Sequence, residues 1–302
     1  MQTPLGLVAD RVTLSPRALR WATTAALVTS ILIVLGGGVV RVTGSGLGCP
    51  TWPTCDGTSL APIPELGIHG VIEFANRMFT TVLIVAVGWV IVAARLQKPR
   101  DRMMTRLAWS QFWLVVANAL AGGVTVLAKL NPWTVALHFV LAVVLLATTT
   151  LTWHRVRDRG DRTARTPIRE KALAWTLAIV TLALVVVGTI VSGAGPHAGD
   201  SRDVPRIGVN WTTVVWFHAA LAVVVGILAV VVFFTVARLR RVTGVFVVVL
   251  LAQGAIGGIQ ALTGLPELLV ALHLLGAALV WVGALRVLLS AIPDLLPVDS
   301  DG

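Results

Sequence analysis

Charge is scarce in this chain. Asp, Glu, Lys and Arg together make up 13% of its 302 residues, against 56% hydrophobic residues and a mean hydropathy of +0.87. That balance excludes a soluble globular domain and implies a polytopic membrane protein. The apolar runs lack a two-residue alternation, which speaks against a closed β-barrel. No cleavable signal peptide is evident, because the first apolar run is too long and lacks a convincing cleavage site. Cysteine is nearly absent: Cys49 and Cys55 are the only two, and no Cys-x-x-Cys-His segment occurs.

What is present is eight apolar runs, at roughly 21–41, 69–94, 107–128, 133–153, 172–192, 211–237, 244–263 and 267–290. Each is about the twenty residues a helix needs to cross the hydrocarbon core. The predicted fold is therefore all-α, with eight transmembrane helices. The net charge of +10 follows topology. With the N-terminus placed inside, 19 of the 24 basic residues fall on inner segments, including Arg155, Arg157, Arg159, Arg162 and Arg165. This is the positive-inside asymmetry, and it predicts both termini in the cytoplasm of a cell with the chain in its plasma membrane. Nucleic-acid binding is set aside, since topology already accounts for the charge. Only Arg41, Arg77, Lys129, Arg202 and Arg206 remain for the outer side and the spans.

A spacing repeats. Gly122-Gly123 precedes Ala136-Leu137-His138, and Gly257-Gly258 precedes Ala271-Leu272-His273, at an offset of 135 residues. Leu130 and Leu265 keep the same register. The long inner loop near 154–171 then divides the chain into two four-helix bundles, 1–160 and 161–302. Both halves start inside and hold an even number of spans, so they are parallel repeats. Glycine-rich runs, Gly36 to Gly46 and Gly188 to Gly195, end the first span of each half and lead into the longer outer loops.

Cys49 and Cys55 share the first outer loop. An oxidising compartment makes a disulfide the default. A metal pair or a redox-active thiol pair is the alternative, although a metal would need ligands beyond the lone His69.

His138, His218 and His273 lie about five to seven residues into the fourth, sixth and eighth spans, hence at similar depth. Aligning the halves puts Asn76 of the second span opposite His218. Intramembrane imidazoles are costly and usually functional. Paired imidazoles from facing helices suit an iron porphyrin better than zinc, for which no tetrahedral set is at hand. The missing Cys-x-x-Cys-His segment excludes thioether attachment. His69, Glu73 and Asn76 share one face of the second span. Glu73 either pairs with Arg77 at i, i+4 or serves as a carboxylate beside a heme-sized cavity, with Arg77 available to a propionate. His197 reads as a loop histidine near the membrane surface, and His154 receives no role.

These motifs resemble the heme A synthases, the family that converts heme O to heme A for heme–copper terminal oxidases. The likeness rests on the run from Gly36 to Cys49, the Trp-Pro-Thr-Cys ending at Cys55, the segment Glu73-Phe74-Ala75-Asn76-Arg77, and the two Ala-Leu-His sequences. It covers all eight spans. The resemblance implies heme b in the C-terminal bundle on His218 and His273. It also implies substrate heme O in the N-terminal bundle with His138 as iron ligand, Glu73 as the catalytic carboxylate, and Asn76 and Arg77 lining the site. The C8 methyl would become a formyl group through hydroxylated intermediates, with oxygen from water and electrons leaving the substrate. Membrane lipid, a heme O synthase, terminal oxidase assembly partners and an unidentified electron acceptor complete the implied partners. The sequence departs from the family's Glu-x-x-His-Arg at Asn76. The rival reading is a diheme b-type cytochrome acting only in electron transfer.

Overall fold

The structure, a computed structural model, describes residues 11–157, 166–200 and 204–293. The expected boundary between halves at 160, and Arg159, Arg162, Arg165 and Arg202 of the charge reading, lie outside the described residues. Eight long helices follow in order: α1 Pro16–Val42, α2 Gly67–Arg95, α3 Arg102–Leu127, α4 Pro132–Arg157, α5 Ile168–Ala194, α6 Trp211–Thr235, α7 Arg240–Leu262 and α8 Glu267–Ala291. All eight are long and apolar enough to cross a membrane.

Most helices run a few residues past the apolar runs, because capping groups lie outside them. Ser15 precedes Pro16 and accepts from the amide of Ala18, Asp101 accepts from Met104, and Asn210 accepts from Thr213. Each side chain satisfies an amide that has no partner within its helix. Within the spans, hydroxyls of Thr23, Ser30, Thr150 and Thr181 donate to carbonyls four residues back. Lipid offers no other partner, so this local bond removes their cost. Trp21, Trp133 and Trp216 stand exposed near helix ends, where indole suits a membrane interface.

The helices close into two rings. In the first, α1 packs on α2, α2 on α3, α3 on α4, and α4 back on α1. Helices α5 to α8 repeat the arrangement. The rings meet through α4 and α8, and each of these also touches the first helix of the other ring. Val143, Leu146, Val185, Ala278 and Trp281 are buried at that seam, and the Trp281 indole donates to the Val143 carbonyl at 3.0 Å.

The repeat reaches the backbone. Leu130 and Leu265 both adopt positive φ, 57° and 60°, in the turns that join α3 to α4 and α7 to α8. Their amides donate to Thr125 and Gln260, again 135 residues apart. The two glycine-rich runs meet as well. Gly46 donates to the Gly199 carbonyl at 2.7 Å, and a Cβ on Gly46 would stand 2.6 Å from that oxygen. Arg41 donates to the Ser192 carbonyl at 2.7 Å, tying the end of α1 to the end of α5.

Candidate functional site

The even-numbered helices carry Asn76, His138, His218 and His273. The helix before each offers a glycine against that side chain. A Cβ on Gly122 would lie 3.3 Å from Cε1 of His138, one on Gly188 3.2 Å from Cε1 of His218, and one on Gly257 3.0 Å from Cε1 of His273. A Cβ on Gly36 would lie 2.5 Å from Oδ1 of Asn76. Carbon contacts ordinarily sit at about 3.5–4.0 Å. Each glycine therefore opens a notch that a larger residue would fill. The aligned position of Asn76 with the three histidines is a property of the packing, and it matches the sequence register.

In the C-terminal ring, the His218 and His273 rings stand 6.5 Å apart between centroids, with planes at 66°. A metal–imidazole bond is about 2 Å, so one ion flanked by two rings spans roughly this separation. The imidazoles of His138, His218 and His273 each face the backbone one turn before the notch glycine, at Asn118, Leu184 and Gln253. Buried polar atoms seldom stay unpaired. The paired rings at this separation fit an iron porphyrin held between α6 and α8. Gln253, one turn before Gly257, donates to the His273 carbonyl at 2.6 Å. Its counterpart 135 residues earlier is Asn118, which bonds its own helix at Leu114. Neither was singled out from sequence, although a polar residue in an apolar span, in repeat register, is a readable signal.

In the N-terminal ring, Glu73 is buried and both its oxygens accept hydrogen bonds. Its Oε2 accepts from the Cys49 amide at 2.7 Å, and its Oε1 accepts from Nε and Nη2 of Arg77 at 3.1 and 2.5 Å. Arg77 also donates to the carbonyls of Cys49, Thr51 and Thr54. The i, i+4 ion pair is therefore real, and it doubles as the anchor of the first long loop. Arg77 spends most of its fork on that loop, which leaves little for a propionate. Cys49 and Cys55 form a disulfide. Within the same loop, Trp52 lies against Gly123 of α3. Its indole covers the helix beside Gly122 and His138, while the equivalent Gly258 faces open space. Near the loop's far end, the backbone amides of Ser59 and Thr58 hold the Asp56 carboxyl below its usual range.

Two other histidines are placed by local bonds. His69 Nδ1 is 2.9 Å from Ser45 Oγ, and Ser45 Oγ is 2.8 Å from Thr43 Oγ1. His197 Nε2 is 2.9 Å from the Leu265 carbonyl, so it pins the second long loop to the α7–α8 turn. No cluster of three His, Cys, Asp or Glu able to hold a bare metal ion occurs among the described residues.

Comparison with known proteins agrees with this geometry. The profile of the family described as cytochrome oxidase assembly protein matches residues 19–69 and 65–285. A heme A synthase of Lysinibacillus sphaericus is 35% identical over 132 residues, 43% of this chain and 42% of that one. A heme A synthase of Staphylococcus epidermidis is 26% identical over 222 residues, 68% of this chain and 71% of that one. The first alignment thus spans under half of that relative's length.

Proposed function

The chain belongs to the cytochrome oxidase assembly protein family, and from that membership we propose that it is a membrane heme A synthase. It would oxidise the C8 methyl of heme O to the formyl group of heme A. The observation that carries this reading is the inequality of the two rings. The C-terminal ring has two facing imidazoles, 6.5 Å apart, which suit a fixed heme b. At the matching depth the N-terminal ring has one imidazole, His138, with a buried carboxylate and a covering loop, which suit a substrate that enters and leaves.

When bound, heme b supplies one-electron chemistry, and His218 and His273 would hold it. In the N-terminal ring, His138 would ligate the substrate heme iron. Glu73 is the candidate catalytic residue. Methyl to formyl takes up one water and loses four electrons, to the acceptor, and four protons overall through hydroxylated intermediates; positive charge develops at the carbon, and a proton leaves as water attacks it. A carboxylate has about four lone-pair sites, and the Cys49 amide and Arg77 take three of them on Glu73. The remaining site on Oε2 is available to accept that proton, while Arg77 keeps the group aligned. Trp52 and the disulfide loop would keep bulk water from the site, and Asn76 would line its second face.

The apolar helices make the chain a multi-pass membrane protein. The basic connections support the proposal of a plasma-membrane protein with both termini cytoplasmic. A heme O synthase upstream, an oxidase assembly partner downstream and an electron acceptor follow from the same reaction. Membranes containing the chain, fed heme O and then extracted, should yield heme A. Unchanged heme O together with an intact low-spin spectrum would favour the rival, an electron-transfer diheme cytochrome.

A further inference from the structure

We propose that the N-terminal ring presents its heme with one protein ligand, His138, and an open face at Asn76 that admits one small diffusible ligand. This rests on the reading above that heme occupies that ring.

Four side chains sit in four glycine notches, and three are imidazoles. In those three, Cε1 of the ring comes nearest the notch, at 3.0–3.3 Å, with Nδ1 beside it at 3.5–3.8 Å. Asn76 presses Oδ1 itself into the notch of Gly36. An amide is shorter than an imidazole, and its oxygen is taken up by the helix contact. A neutral amide is in any case a poor ligand for heme iron, which takes His, Cys, Met or Tyr.

No neighbour on α2 takes over. Glu73 is held by the Cys49 amide and Arg77. His69 is seven residues from Asn76, about 10 Å along the helix, and is bonded to Ser45. Asn76 makes no side-chain hydrogen bond among the described residues, and its Oδ1 is buried without a partner. The C-terminal ring differs at this point, because His218 and His273 close both faces of its site.

The test uses the full-length protein in detergent, supplied with heme O, its hemes counted by extraction, then reduced and exposed to carbon monoxide. One of the two hemes should bind the gas. Asn76→His should abolish that binding and add a second low-spin component. Asn76→Ala should keep the binding and shift the infrared stretch of the bound gas. Protein that holds both hemes and binds no carbon monoxide would overturn the open face while leaving the proposed function standing. An unshifted stretch in Asn76→Ala would remove the amide from the site. Protein in which all heme disappears with His218→Ala would remove the N-terminal heme itself, and with it both readings.

Discussion

The imidazoles of His218 and His273 face each other from different helices, 6.5 Å apart, each backed by a glycine of the helix before it. That separation is what one ion between two imidazoles requires. Replacing either histidine with Ala should therefore remove the low-spin heme absorption of the purified protein. Retention of that absorption and full heme content in both single variants would disprove the ligand assignment.

Glu73 anchors the first loop, and one substitution tests its proposed second duty as a proton acceptor. Glu73→Gln keeps the shape and one acceptor oxygen but loses the charge. If the carboxylate takes a proton in the reaction, turnover of heme O should fall by about 10²–10⁴-fold, the usual range for a positioned acid–base group. The heme b spectrum should be unchanged. Parental turnover would leave Glu73 as the anchor of the first loop alone.

The sequence made the eight spans and the repeated Gly–His spacing legible for a physical reason. Helices α3 and α4, and α7 and α8, are joined by tight turns, so glycine and histidine lie a fixed sixteen residues apart in each hairpin. The other two notches hide the same relation. Gly36 and Asn76 are forty residues apart, and Gly188 and His218 thirty, because long loops of unequal length intervene. The Glu73–Arg77 pair was readable from i, i+4 spacing. Its grip on the carbonyls of Cys49, Thr51 and Thr54 was not, since backbone acceptors in an irregular loop leave no pattern in side chains. Trp52 on Gly123 escaped for the same reason.

The glycine notches offer a paired test within one helix. Gly257 stands against the His273 ring, and Gly258 faces open space. Gly258→Ala should be neutral or stabilising by up to about 1 kcal/mol, the helix-propensity gain. Gly257→Ala gains the same propensity but pushes the ring by a few tenths of an ångström. Displacing support of a metal ligand costs about 10–100-fold in affinity. Heme b titrated into the apoprotein should bind Gly257→Ala more weakly by that factor, and Gly258→Ala normally. Equal affinities would show that the notch does not set the ring.

The first long loop is held twice, by the Cys49–Cys55 disulfide and by Arg77, and the two holds should differ in weight. Cross-linking so short a loop contributes about 2–3 kcal/mol at most. Arg77 already fixes the carbonyls of Cys49, Thr51 and Thr54, so little loop freedom is left for the disulfide to remove. Taking away Arg77 also leaves Glu73 buried without its counter-charge, a loss of about 3–5 kcal/mol for a broken buried pair. The double variant Cys49→Ser, Cys55→Ser should therefore keep its fold and heme b, with a modest fall in Tm. Arg77→Ala should lower Tm more and reduce heme O conversion further. Arg77→Lys should fall between them, since an ammonium restores the charge but cannot span the same set of acceptors. Thermal unfolding and heme O turnover of the three variants, measured side by side, would check the order. A disulfide-free protein less stable than Arg77→Ala would reverse it and make the cross-link the principal anchor.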